Sequence, residues 1–440
     1  MEGAATGACA LGASDSSMSA GASGEDREEP ADLGSFYGQE LGKAFPQVQV
    51  LAAKWEAEDR IPGLSDLDGR LVCGKMEAED WTALGEAIGE MHLQMCRQHP
   101  EWSRALEHPP SASVTADEAV DGILYHPESR QWSFDWGDPN TYERMQRKLA
   151  ARDWTERDEQ YFLRRFVSYL GPYAAEMDPG INVPPALEER YGLHSRVMHY
   201  FVPGIQAALC LLKRRVIRGK RDALRQWLAI RPREQVLRQA AEMLEKGYRV
   251  RELNDEGRKR EFESRCFSFL EELAEEVREC TSVADLRWCR SAEELRRAVN
   301  GLKVEPLLTV FEAARFFRAR NGRWRFYLEA PEHFATDRLI SAELAFLKTY
   351  FTRSVLEAFA ALRWGEERAN HLQVIENLGR GPIGREGAKT MREMYQLTWE
   401  EADRIPHYEA LRKATGIYAA YHLILEELLA QARRLSAGGA

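Results

Sequence analysis

Proline is the residue least compatible with a helix interior, because it lacks an amide donor and its ring clashes with the preceding turn. Of the 18 prolines in this 440-residue chain, 13 lie at or before Pro203 and five after it, although the second stretch is longer. The second stretch is therefore predicted to be almost entirely helical. Its apolar residues recur at helical spacing over 155–175, 186–200, 204–229, 233–247, 255–279, 291–301, 305–320, 336–365, 386–396 and 408–434. Pro203 and the capping-box spacing Ser291…Glu294 mark two of the starts. No repeat of fixed period occurs, which argues against a solenoid.

Residues 33–150 have a different grain. "SFYGQELGKAF" reads as a short helix, "VQVLAAKW" and "LSDLDGRLV" as strands, and "EDWTALGEAIGEMHLQMCRQ" as an amphipathic helix. "DGILYH" and "RQWSFDW" flank a turn containing Pro127, as in a hairpin. The expected class is α+β: an N-terminal mixed-sheet domain followed by a large all-helical region. Size requires several units, since one core stops growing at about 250–300 residues. The expected division is a tail over 1–32, a sheet domain over 33–150, a bundle over 151–250 and a second helical domain over 251–440. The last break is placed at the charged stretch "YRVRELNDEGRKRE".

Eighteen of residues 1–32 are Gly, Ala or Ser, and seven acids there face Arg27 alone. This acidic tail is expected to be disordered. It carries −6 of the formal charge of −10, so the body is close to neutral and lacks the basic footprint of a duplex-binding protein. Nucleic acid is not an expected partner. The seven cysteines are odd in number and never paired as C-x2-C, which fits reduced thiols and no zinc site. No apolar run reaches the length of a membrane span, and the Ala-rich start has Glu2 where a signal peptide is basic. The expectation is a cytoplasmic protein without a membrane partner.

The most informative short segment is Ser65-Asp66-Leu67-Asp68, where a loop enters a strand. With a side-chain period of two, Asp66 and Asp68 project to one face and are candidate ligands for a divalent cation. In Trp132-Ser133-Phe134-Asp135-Trp136 the aromatics take one face, read as core, and Asp135 takes the other, which would complete a three-carboxylate site. Such a triad suits nucleotidyl transfer: Mg²⁺ gathers the triphosphate oxygens while a carboxylate accepts the proton of the attacking hydroxyl.

At these residues the chain resembles the nucleotidyltransferase superfamily of the polymerase-beta type, especially small-molecule adenylyltransferases. The resemblance covers roughly residues 33–150 and rests on the acidic strand. It implies Mg²⁺ held by Asp66 and Asp68, and Asp135 as catalytic base or third ligand. It also implies a nucleoside triphosphate as co-substrate, with Ser65, Lys54, Arg70 and Arg218 as candidate contacts to it, and a small molecule whose hydroxyl accepts the nucleotide. The family's Gly-Ser turn is replaced by Lys54-Trp55, followed by Glu56, Glu58 and Asp59, which would line an acidic cleft suited to a cationic acceptor. A non-catalytic binding or scaffolding protein that kept the fold is the alternative. "DLDGRLV" also resembles the first motif of haloacid-dehalogenase-type phosphatases, but Arg70 replaces that motif's small residue and no apolar strand precedes it.

On the helix predicted from Pro203, Arg214, Arg218, Arg221 and Arg225 share a face, with Lys213 and Lys220 at its edges. The stripe is read as solvated, or else as a phosphate-facing wall. His194 and His199 lack metal spacing, the aromatics Phe311, Phe316, Phe317, Trp324 and Phe326 read as core, and "GRGPIGREG" reads as a loop.

Overall fold

The computed structural model describes residues 33–60, 65–102, 105–110, 112–122, 124–170, 200–245, 256–330, 337–365 and 370–438. The acidic tail, His194, His199 and, apart from Tyr200, the helix expected over 186–200 lie outside these residues. The fold is α+β, with a four-stranded mixed sheet near the N-terminus and helices thereafter.

Helix α1 (Leu33–Ala44) leads into β1 (Val48–Ala53), and β2 (Gly69–Cys73) returns antiparallel to it. A crossover through α2 (Ala78–Gln98) delivers β3 (Ala112–Thr115) parallel to β2. After α3 (Ala116–Val120), β4 (Ser133–Gly137) pairs antiparallel with the free edge of β1 and leads to α4 (Pro139–Ala150). The sheet order is β3-β2-β1-β4.

The expected hairpin does not form. The described part of "DGILYH" is not strand, Pro127–Gln131 is a 3-10 turn, and β4 finds its partner in β1. Residues Gly34, Gly38 and Gly42, four apart on α1, explain the approach of that helix to the sheet. A Cβ on Gly38 or Gly42 would enter the Trp136 ring, and one on Gly34 would lie 2.7 Å from Asp135 Oδ2.

The helical region comprises α5 (Glu156–Ser168), α6 (Val202–Lys213), α7 (Lys220–Ile230), α8 (Gln235–Glu245), α9 (Glu256–Cys280), α10 (Ala292–Asn300), α11 (Pro306–Glu329), α12 (Asp337–Thr349), α13 (Ala358–Trp364), α14 (His371–Gly379), α15 (Gly384–Gln396) and α16 (His407–Gly438). A π-helical segment, Tyr350–Glu357, joins α12 to α13 without a break. The expected loop at 379–387 is mostly helix, with α14 ending at Gly379 and α15 starting at Gly384.

Buried apolar residues form two cores that do not divide the chain at residue 250. One joins the sheet domain to α11–α16, and the other runs from Phe162 to Val299, so the helices on both sides of 246–255 share it. Helix α11 is buried on nearly all sides, including the predicted aromatics, and crosses α2 where Gly322 meets Gly85 and Gly89. A helix so enclosed must pair the charges it carries. Its buried arginines are paired: Arg318 donates to Glu118 and Glu426, and Arg320 donates to Glu343.

Candidate functional site

The strand pairing brings the two ends of the acidic motif to the exit of β1. Ala53 lies opposite Gly69, and the next backbone link is the Lys54 amide donating to the Asp68 carbonyl at 3.3 Å. Lys54 Nζ therefore lies 3.7 Å from Asp68 Oδ2. Arg70, 5% exposed, donates Nη1 to Asp68 Oδ1 and Nε to Glu128 Oε1, each at 2.6 Å. Trp132 Nε1 donates to the same Glu128 oxygen at 3.2 Å. Burial by itself would raise the Asp68 carboxyl, but Arg70, Lys54 and His108 outweigh it and hold the group well below the usual carboxylate range.

Asp66 sits beside His108, with Oδ2 3.5 Å from Nε2. His108 Nδ1 accepts from Arg323 Nη2 at 2.6 Å, which leaves Nε2 to carry the ring proton toward Asp66. Burial and Arg323 lower the His108 pKa, against the pull of Asp66, Glu107 and Asp68. Ser65 immediately precedes this pair and is half-buried.

Asp135 is not part of this group. The register aligns Arg70, Ala52 and Phe134 in one row, so these side chains share a face. An irregularity between Leu51 and Ala52 sends Asp135 to the opposite face, beneath Gly34 of α1. There Arg60 holds it through two hydrogen bonds, Nη1 to Oδ2 at 3.1 Å and Nη2 to Oδ1 at 2.5 Å. The burial pattern reverses the expected one: Asp135 is 8% exposed and Phe134 37%. The sheet thus separates Asp135 from Asp68. Among the described residues no group of three His, Cys, Asp or Glu side chains is placed to hold a metal ion. The donors fit Mg²⁺ poorly, because Asp68 and Asp135 are already engaged by guanidinium groups.

The acidic run after Trp55 is likewise divided. Asp59, 3% exposed, accepts from the backbone amides of Lys220 at 2.6 Å and Arg221 at 2.9 Å, capping α7 from a distant part of the chain. Glu56 Oε1 lies 2.9 Å from Arg218 Nε. Glu58 is exposed, and its carbonyl accepts from Arg221 Nε at 2.7 Å. These residues tie the sheet domain to the helices and do not line one acidic cleft.

The predicted arginine face is also broken up, because the helix stops. Arg214 adopts a left-handed conformation at φ 48°, and Gly219, at φ 76°, precedes the fresh start of α7. Each arginine then has its own surroundings. Arg214 lies 3.5 Å from Glu159, Arg218 donates to the Trp132 carbonyl and to Tyr142 Oη, and Arg225 lies 3.4 Å from Asp222. Of the four, only Arg218 and Arg221 reach the sheet domain's loop after β1.

Three cations surround the Trp55 ring instead. Lys220 Nζ lies 4.8 Å from its centroid, the Arg165 guanidinium 5.3 Å and Lys54 Nζ 5.8 Å. Burial lowers the Lys54 ammonium to about 8, assisted by Arg165 and opposed by Asp68 and Glu128. Burial also lowers Lys220, against Asp59, Asp66 and Asp68. Arg165, Glu128, His108 and Arg60 escaped the sequence reading, and Lys220 entered it only as an edge of the arginine face. They come from different elements, and none stands in a recognisable spacing.

The described cysteines Cys73, Cys96, Cys210, Cys266, Cys280 and Cys289 are all free thiols. No helix among the described residues is long and apolar enough to cross a membrane. No family model, curated protein or solved structure matches this chain, so its functional reading rests on the site itself.

Proposed function

We propose that this chain is a non-catalytic binding or scaffolding protein built on a nucleotidyltransferase-like sheet domain, rather than a Mg²⁺-dependent transferase. The observation that carries the reading is Arg70. Its guanidinium lies between Asp68 and Glu128, where it supplies from within the chain the positive charge that a divalent ion would bring. Lys54 adds a second internal cation beside Asp68. A carboxylate so neutralised has little remaining attraction for Mg²⁺, and Asp135 lies across the sheet from it.

The resemblance to adenylyltransferases makes the opposite prediction, and one assay separates the two. Full-length protein is incubated with ATP or GTP, Mg²⁺ and a panel of hydroxylated small molecules, cationic aminoglycosides included, and pyrophosphate release is followed. The binding reading predicts no release above the protein-free control. Release that disappears in Asp68→Asn would establish the transferase.

A further inference from the structure

The cations around Trp55 have a shortage of anionic partners. Lys220 is 8% exposed, and among the described residues its ammonium makes no ion pair or side-chain hydrogen bond, resting only against the Trp55 ring. Arg165 donates Nη1 to Tyr161 Oη at 3.1 Å, while its Nε and Nη2 are buried with no acceptor among the described residues. Among the described residues, the one ion pair of Lys54 is the 3.7 Å approach to Asp68. The nearby acids are committed elsewhere: Asp59 to the α7 amides, Asp68 and Glu128 to Arg70, and Asp66 beside His108. Buried, under-paired charge is costly to a fold, and such groups are normally either paired or neutralised. Here the charges lie on three separate parts of the chain, the residue after β1, α5 and the start of α7, so no single helix or loop accounts for their grouping.

We infer that Lys54, Arg165 and Lys220 form a binding site for a phosphate-bearing ligand that needs no divalent cation. Arg165 offers the N–H groups of its Nε and Nη2 to phosphoryl oxygens, and the two ammonium groups neutralise the charge. The Trp55 ring keeps the cations apart and gives the site an apolar wall. The inference deepens the binding reading above and rests on it. A free phosphate, a pyrophosphate and the phosphates of a nucleotide share this chemistry, and the test distinguishes them.

Calorimetric titrations of the full chain in EDTA with inorganic phosphate, pyrophosphate and ATP test the site. Binding of at least one of them is expected, and Lys220→Met and Arg165→Gln should each weaken it at least ~10-fold, or ~1.4 kcal/mol. Equal weakening of pyrophosphate and ATP assigns the site to the phosphates alone. Repeating the ATP titration at about pH 8 in buffers of different ionisation enthalpy should reveal proton uptake, because an anion raises the depressed lysines. That readout needs no variant and survives any folding defect. No binding of any probe at millimolar concentration, or affinity unchanged in both variants, overturns the inference. The binding reading itself fails only if the separate pyrophosphate-release assay detects Asp68-dependent transfer.

Discussion

Arg70 and Asp68, two residues apart at the entrance to β2, are joined by an Nη1 to Oδ1 hydrogen bond of 2.6 Å, and the same guanidinium donates Nε to Glu128. The motif that reads in sequence as a metal ligand is thus an internal ion pair. The two interpretations differ in sign. Relief of repulsion in a carboxylate cluster would make Asp68→Asn stabilising, whereas loss of an anion beside Arg70 and Lys54 is destabilising. We predict a loss of roughly 1–3 kcal/mol, measured by urea denaturation near neutral pH. A gain in stability would refute the pairing.

Asp59 should matter more than its place in a short acidic run suggests. Replacing it with Ala leaves the Lys220 and Arg221 amides at the start of α7 without their acceptor. The expected cost is about 1–2 kcal/mol, with Asp59→Asn recovering most of it because an amide oxygen still caps. Gly219→Ala should be destabilising as well, since φ is 76° and the new Cβ would lie 2.9 Å from Asp59 Oδ2. Thermal unfolding of the three variants checks the ranking.

The same structural tie changes what Arg218→Glu should do. A solvated arginine stripe would tolerate the change or gain from it. Here Arg218 lies beside Glu56 and donates to Tyr142 Oη and the Trp132 carbonyl, so a glutamate would face Glu56 and remove both donated hydrogen bonds, leaving the Trp132 carbonyl only the one from Tyr142 Oη. A loss of roughly 1–2 kcal/mol is expected, smaller in high salt only for the part due to charge. An unchanged melting temperature would place Arg218 back in solvent.

Acid should destabilise the fold in two steps. His92 accepts from Tyr37 Oη and lies 3.1 Å from the Leu106 carbonyl, and burial lowers its pKa to about 3. His126, lowered chiefly by burial and Arg315, falls to about 4. Unfolded histidines titrate near 6.5, so the unfolded state binds more protons below that value. Their contribution is complete above about pH 6.5 and is lost as pH falls toward the folded values. Asp68, whose folded pKa lies below the unfolded one of about 4, contributes above that pH and is lost beneath it. A melting temperature measured from about pH 8 to 4 should be flat at first and then decline from about 6.5, and His92→Gln should flatten that first decline.

Much of the fold was legible because it depends on local rules. Proline distribution and apolar periodicity located the helices on both sides of residues 246–255, and the acidic motif was correctly placed where a loop enters β2. The failures share a tertiary cause. The break between α6 and α7 depends on Asp59, which lies in the loop after β1 and offers a new N-terminus to the chain at Lys220. Strict alternation along β4 does not hold, because the irregularity opposite Leu51 and Ala52 turns both Asp135 and Trp136 toward α1. Gly34, Gly38 and Gly42 let that helix close over Asp135 and Trp136, and their four-residue spacing was the signal overlooked. The Trp55 cation cluster joins side chains far apart in sequence, which no motif records.

The central claim is that internal cations occupy the role a divalent ion would play at Asp68. A Mn²⁺ titration of the full chain, with and without ATP and followed by water-proton relaxation, measures this most directly. The account predicts no site that depends on Asp68: parent and Asp68→Asn should give the same weak, non-saturating response. A saturable Mn²⁺ site in the parent that Asp68→Asn abolishes would contradict it.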